Sequence, residues 1–136
     1  MFRYDIDGDD FTSAGEASTD MKQKLRRMGV DPDDIRRCAI CMYEGEINMV
    51  IHANGGVAEI CVSADKVEII LTDTGPGIED IDLAMSEGFT TASQSVRELG
   101  FGAGMGLPNM KKNADEIKVT STPGVGTTVT MVINIK

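Results

Sequence analysis

Glu44, Asn48 and His52 follow one another at intervals of four residues. On a helix they would share one stripe, drifting about 40° per step. A carboxylate and an amide oxygen stacked one turn apart can hold a hard cation or a water. Taken alone, the stripe reads more simply as a buried helix with one satisfied Asn and a surface Glu. The segment DTGPGI at 73–78 has the same double character. Asp before Gly and Pro is a common turn. The same residues could present the Asp73 carboxylate at a sheet edge, where it would accept a hydrogen bond from an amino group such as that of adenine. Gly75 and Gly77 would then keep Cβ atoms clear of the base. A third segment, GFGAGMG at 100–106, has glycine at every second position, immediately before a predicted helix. Exposed amides and a helix N-terminus form a phosphate seat, whereas without a ligand the same run is a hinge. Neither the P-loop ending nor the Rossmann fingerprint fits it.

These residues need elements to position them. Phe2 to Ile6 alternates as a short strand. Ser13-x-x-Glu16 has capping-box spacing and opens a helix that Gly29 stops. Asp31-Pro32-Asp33-Asp34 is a strong helix start, and the helix runs to about Asn54-Gly55-Gly56. It carries Ile35, Cys38, Met42, Gly45 and Met49 as a core stripe. Gly45 in mid-helix costs about 1 kcal/mol relative to Ala, which points to close packing there. Strands VAEICVSA and KVEIILTD follow, with Val67, Ile69 and Leu71 on one face. A short helix at Glu79–Met85, a long segment through the glycines, a helix from Leu107 with Pro108 in its first turn, and a C-terminal hairpin complete the order. It predicts one α+β domain over residues 1–136, a two-layer sandwich with helices on one face of a mixed, mostly antiparallel sheet.

Composition narrows the chemistry. The chain has 136 residues, 13 basic against 22 acidic, for a net charge of −9. No basic stretch could track a phosphate backbone, so nucleic-acid binding is not expected. A polyanionic ligand would have to be held locally by amides, a helix end or a divalent cation. No apolar run approaches the ~20 residues of a membrane helix, and no secretory signal is visible, so the expectation is a cytoplasmic protein without a membrane partner. Cys38, Cys41, Cys61 and His52 could be drawn as a zinc site. Cys41 and His52 would, however, lie roughly 16 Å apart along one helix. The cysteines read as core hydrophobes, with a redox role for C-x-x-C as the rival. Asp5, Asp7, Asp9 and Glu16 have calcium-loop spacing, but Asp10 stands where the loop needs Gly.

In combination the segments say more. Glu44-x-x-x-Asn48, Asp73-x-Gly75-x-Gly77, GFGAGMGL and Gly126-Thr127-Thr128, in that order, resemble the nucleotide-binding boxes of the GHKL (Bergerat-fold) ATPases. The resemblance covers roughly residues 31–135, and within the superfamily the chain is similar to small anti-sigma-factor serine kinases and other histidine-kinase-like ATPase domains. It implies ATP and Mg²⁺ as cofactors. Asn48 would hold the Mg²⁺, and Glu44 would be the general base that takes a proton from a substrate Ser. Asp73 would read the adenine amino group with help from Thr128. Gly75 and Gly77 would line the base, while Gly102, Gly104, Met105, Gly106 and Leu107 would wrap the phosphates. Arg97, chosen on position and charge, would contact the γ-phosphate. Glu46 points about 200° away from Glu44 and is not assigned a catalytic role. The implied partners are an antagonist-type (anti-anti-sigma-like) protein and a sigma factor or another signalling enzyme, and a homodimer is compatible with the family. Two alternatives remain. One is a nucleotide-gated binding module without phosphoryl transfer, the other a detached histidine-kinase catalytic domain. The second is disfavoured because the single His lies in the ATP-site helix.

Overall fold

The computed structural model describes residues 1–7, 15–52, 55–75 and 106–135, without the side chains of 7, 51, 52, 106 and 107. The predicted 79–85 helix and the glycine-rich segment up to residue 105, with Gly77, Arg97, Gly102, Gly104 and Met105, lie outside the described residues.

The long helix α2 (Pro32–His52) starts where its sequence predicts. Asp31 Oδ1 accepts the Asp33 amide at 3.0 Å, Pro32 sits where no N–H is required, and Asp33 and Asp34 place negative charge in the first turn. Its predicted core stripe is buried: Cys38 and Met42 are fully enclosed, with Ile35 and Met49 nearly so. Gly45 is where α2 lies closest to the sheet. A Cβ there would collide with Leu71 Cδ1. Gly45→Ala is therefore expected to destabilise the fold in chemical denaturation by about 1–2 kcal/mol, an overpacking cost of about 1–3 kcal/mol less the helix-propensity gain of up to about 1.

The helix α1 (Glu16–Arg27) departs from expectation at its start. Its cap is Gly15, not Ser13. The Gly15 backbone is left-handed at φ 100°, and no side-chain bond caps the helix locally. The first-turn amides of Ala17 and Ser18 instead donate to Glu46 Oε2 and Oε1 of α2, each at 3.2 Å. Glu46 is 3% exposed, so a buried carboxylate from a neighbouring helix faces the positive end of α1 and ties the two helices together. Glu46→Ala would leave two buried amides without an acceptor. It should lower stability by about 2–4 kcal/mol in a denaturant melt.

The described strands β1 (Phe2–Asp7), β2 (Gly55–Val62), β3 (Lys66–Thr72), β4 (Glu116–Thr122) and β5 (Gly126–Asn134) form a five-stranded sheet in the order β1-β2-β3-β5-β4. Every neighbouring pair is antiparallel, so among the described residues the expected mixed sheet is antiparallel throughout. The helix α3 (Gly106–Asn113) precedes β4. Alternation places Ala58, Ile60, Val67, Ile69, Leu71, Val129, Met131 and Ile133 on one face, all buried in a common core with the α1 and α2 stripes and Met110 of α3. Each fully buried aliphatic side chain of this set contributes about 1.5–3 kcal/mol. That face carries the helices, and it is where α2 meets the end of β3.

Candidate functional site

Glu44 and Asn48 are half-buried on α2, one turn apart. Glu44 Oε1 accepts a hydrogen bond from Asn109 Nδ2 of α3 at 3.2 Å. Burial raises the pKa of the Glu44 carboxyl above its ordinary value, and the Asn109 bond partly opposes the shift. A half-buried carboxylate with one oxygen held and a raised pKa has the properties of a proton acceptor.

The second part of the site lies beyond β3. The Asp73 amide donates to Thr127 O at 3.0 Å, while Asp73 Oδ1 accepts from Gly75 N at 2.9 Å and Thr127 N at 3.2 Å. Both bonds use one oxygen, and Oδ2 has no partner among the described residues. Two glycines let neighbouring strands close on this corner. A Cβ on Gly126 would strike the Asp73 carbonyl, and one on Gly56 would strike the Thr72 carbonyl and the Met49 side chain. Met49 follows Asn48 directly, so the helix carrying Glu44 and Asn48 packs against the strand end that carries Asp73. Gly56 was expected at the glycine-marked end of the long helix and instead lies in β2 at this corner.

The threonine that the structure brings to Asp73 is Thr127, not Thr128. Thr127 is buried on the helix-bearing face, where its Oγ1 lies 2.8 Å from Ser121 Oγ. Thr128 is aligned with Thr72 and Thr120 across the sheet, and alternation puts its side chain on the opposite face.

The third part is α3, whose first residues are Gly106 and Leu107. It is tethered to α2 along its length. Besides the Asn109–Glu44 bond, Cys41 Sγ donates to Met110 O at 3.7 Å, and Arg37 Nε donates to Asn113 O at 3.1 Å. Arg37 also pairs with Asp115 at 2.6 Å. The Asn134 amide and Arg37 together hold the Asp115 carboxyl below its ordinary range. The start of α3 is thus fixed relative to Glu44.

Among the described residues no three His, Cys, Asp or Glu side chains converge to hold a metal. This donor set fits Mg²⁺, which commonly keeps its waters and takes one or two protein oxygens together with substrate phosphates. Asn48 offers such an oxygen. Cys38 and Cys41 are core side chains. Cys38 and Cys41 are fully buried, and burial pushes each thiol up to about 12. Burial of both thiols speaks against the redox reading of C-x-x-C.

A family model described as histidine kinase-, DNA gyrase B- and HSP90-like ATPase matches residues 33–136. The chain is 38% identical over 97 residues to an anti-sigma F factor of Thermoanaerobacter pseudethanolicus, covering 71% of this chain and 60% of that protein. It is 32% identical over 108 residues to the serine/threonine-protein kinase RsbT of Bacillus subtilis, covering 76% and 75%. A crystal structure of the RsbU and RsbW domains of a Mycobacterium tuberculosis protein superposes with a TM-score of 0.65 at 17% identity, covering 99% of this chain and 33% of that one. The chain thus spans 60% of the length of the anti-sigma relative.

Proposed function

The chain belongs to the family of histidine kinase-, DNA gyrase B- and HSP90-like (GHKL) ATPases, and from that membership we propose that it is an ATP- and Mg²⁺-dependent serine protein kinase of a partner-switching system. Its substrate is a small antagonist-type protein, and its second partner is a sigma factor or another signalling enzyme. Its similarity to an anti-sigma F factor and to a serine/threonine-protein kinase supports this reading. The observation that carries it is the half-buried Glu44, one oxygen held by Asn109, one turn from Asn48 on the helix that packs against the Asp73 corner.

Each residue then has a task. Asp73 Oδ2 accepts the adenine amino group, with Thr127 fixing the carboxylate from behind. Gly75 and Gly77 leave room for the base. Backbone amides of the glycine-rich segment and of Gly106 and Leu107 face the phosphates, and Arg97 contacts the γ-phosphate. Asn48 would ligate Mg²⁺, which when bound neutralises charge on the phosphate oxygens. Glu44 takes the proton of the substrate Ser hydroxyl. The Ser oxygen forms a bond to the γ-phosphorus as the bond to the β–γ bridging oxygen breaks, and ADP leaves with that electron pair. A groove lined by residues of α1 and α2, among them Arg26, Arg36, Ile40, Tyr43 and Glu44, is where a protein substrate would approach the base.

The test uses γ-labelled ATP with Mg²⁺ and a panel of purified antagonist-type (anti-anti-sigma-like) domains. An acid-stable label on a Ser of one of them is expected. An acid-labile label would point to a histidine kinase, and ATP binding without any transfer to a nucleotide-gated module.

A further inference from the structure

We infer that Asn109 is a positioning residue for phosphoryl transfer, holding the Glu44 carboxylate in place and linking it to α3. The inference rests on the kinase reading and extends it to a residue outside the motifs that mark the nucleotide site. Asn109 Nδ2 donates to Glu44 Oε1 at 3.2 Å. Glu44 Oε2 has no partner among the described residues, and Glu44 is one of the residues that line the groove between α1 and α2. With one oxygen held, the other is left to meet an incoming hydroxyl, and a Glu side chain that would otherwise sample several rotamers is restricted to one.

The placement of Asn109 adds a second consequence. It lies on α3, whose first residues, Gly106 and Leu107, belong to the candidate phosphate seat. The same short helix would therefore meet the triphosphate at its N-terminal end and the base in its next turn. Asn109 is not needed to fasten α3 to α2, because Cys41 to Met110 O and Arg37 to Asn113 O already do so. Its side chain is thus free to serve Glu44, and its loss should disturb the base more than the packing.

The experiment measures transfer kinetics from labelled ATP with Mg²⁺ to the antagonist-type domain, together with ATP affinity by calorimetry. Wild type, Asn109→Ala, Asn109→Asp, Glu44→Ala and the double variant Glu44→Ala/Asn109→Ala are compared. Asn109→Ala should lower kcat by about 10- to 100-fold with the Kd for ATP within about twofold of wild type. Asn109→Asp keeps the shape but sets a second carboxylate against Glu44, so its kcat should fall further. In the Glu44→Ala background, removing Asn109 should change nothing more, because the partner it serves is gone. A kcat for Asn109→Ala equal to wild type would overturn the inference. So would a double variant slower than Glu44→Ala, or ATP affinity falling in step with kcat, each of which marks a purely structural role. These results leave the kinase reading standing, whereas a wild type that transfers nothing overturns both. If Asn109→Ala fails to fold, Asn109→Asp carries the same comparison without a void.

Discussion

Glu44→Gln should abolish nearly all phosphoryl transfer, by about 10²- to 10⁴-fold in kcat, while ATP binds as it does to wild type. The substitution keeps the shape of the side chain and an oxygen that can still accept from Asn109 Nδ2. It removes only the ability to take a proton. A loss confined to kcat therefore identifies proton acceptance, whereas a matching rise in the Kd for ATP would place Glu44 in nucleotide binding and refute its role as base. The pH dependence follows from the environment of Glu44. Burial raises its pKa and the Asn109 bond partly counters the rise, so wild-type transfer should increase with pH through a midpoint above the ordinary glutamate value, and the residual rate of Glu44→Gln should lack that limb. The sign for stability is opposite. A folded-state pKa above the unfolded one means the folded chain binds the proton more tightly, so the Glu44 contribution to stability is present at low pH and is lost as pH rises through the folded pKa. At neutral pH Glu44→Gln should thus be at least as stable as wild type, a functional carboxylate being kept at a cost to the fold.

The parts of this site that were legible in the sequence are those set by local rules. The α2 start is written in consecutive residues, with Asp31 capping and Pro32 beginning the helix. The buried stripe of α2 and the inward Val67, Ile69 and Leu71 follow from helix and strand periodicity, and Gly45 advertised close packing because a mid-helix glycine is otherwise unfavourable. What was missed depends on partners distant in sequence. The cap of α1 comes from Glu46, 29 residues from Ala17, and a local capping-box pattern cannot compete with an acceptor that only the folded chain supplies. Asn109 reaches Glu44 across 65 residues. The choice between Thr127 and Thr128 turns on strand parity, where a single position exchanges the two faces of the sheet. The motif located the segment, but the Thr127 amide on Asp73 settles which neighbour the carboxylate has.

That arrangement makes Asp73→Asn the sharpest test of the nucleotide site. The Asp73 Oδ1 atom holds the Gly75 and Thr127 amides, and an Asn oxygen can keep both bonds. The change falls on the second oxygen, which becomes an amide donor. If that oxygen accepts the adenine amino group, Asp73→Asn sets donor against donor and removes a charge-assisted bond worth about 1.5–3 kcal/mol. ATP affinity should then fall about 10- to 100-fold, with the melting temperature nearly unchanged. GTP, which carries a carbonyl where adenine has its amino group, should lose less or even gain. Asp73→Ala is the contrasting variant, since it strips the acceptor from both amides and should weaken the β3–β5 corner as well as ATP binding. Calorimetric titrations in which wild type and Asp73→Asn bind ATP equally would mean that this carboxylate only closes the turn, and adenine recognition would have to be sought elsewhere.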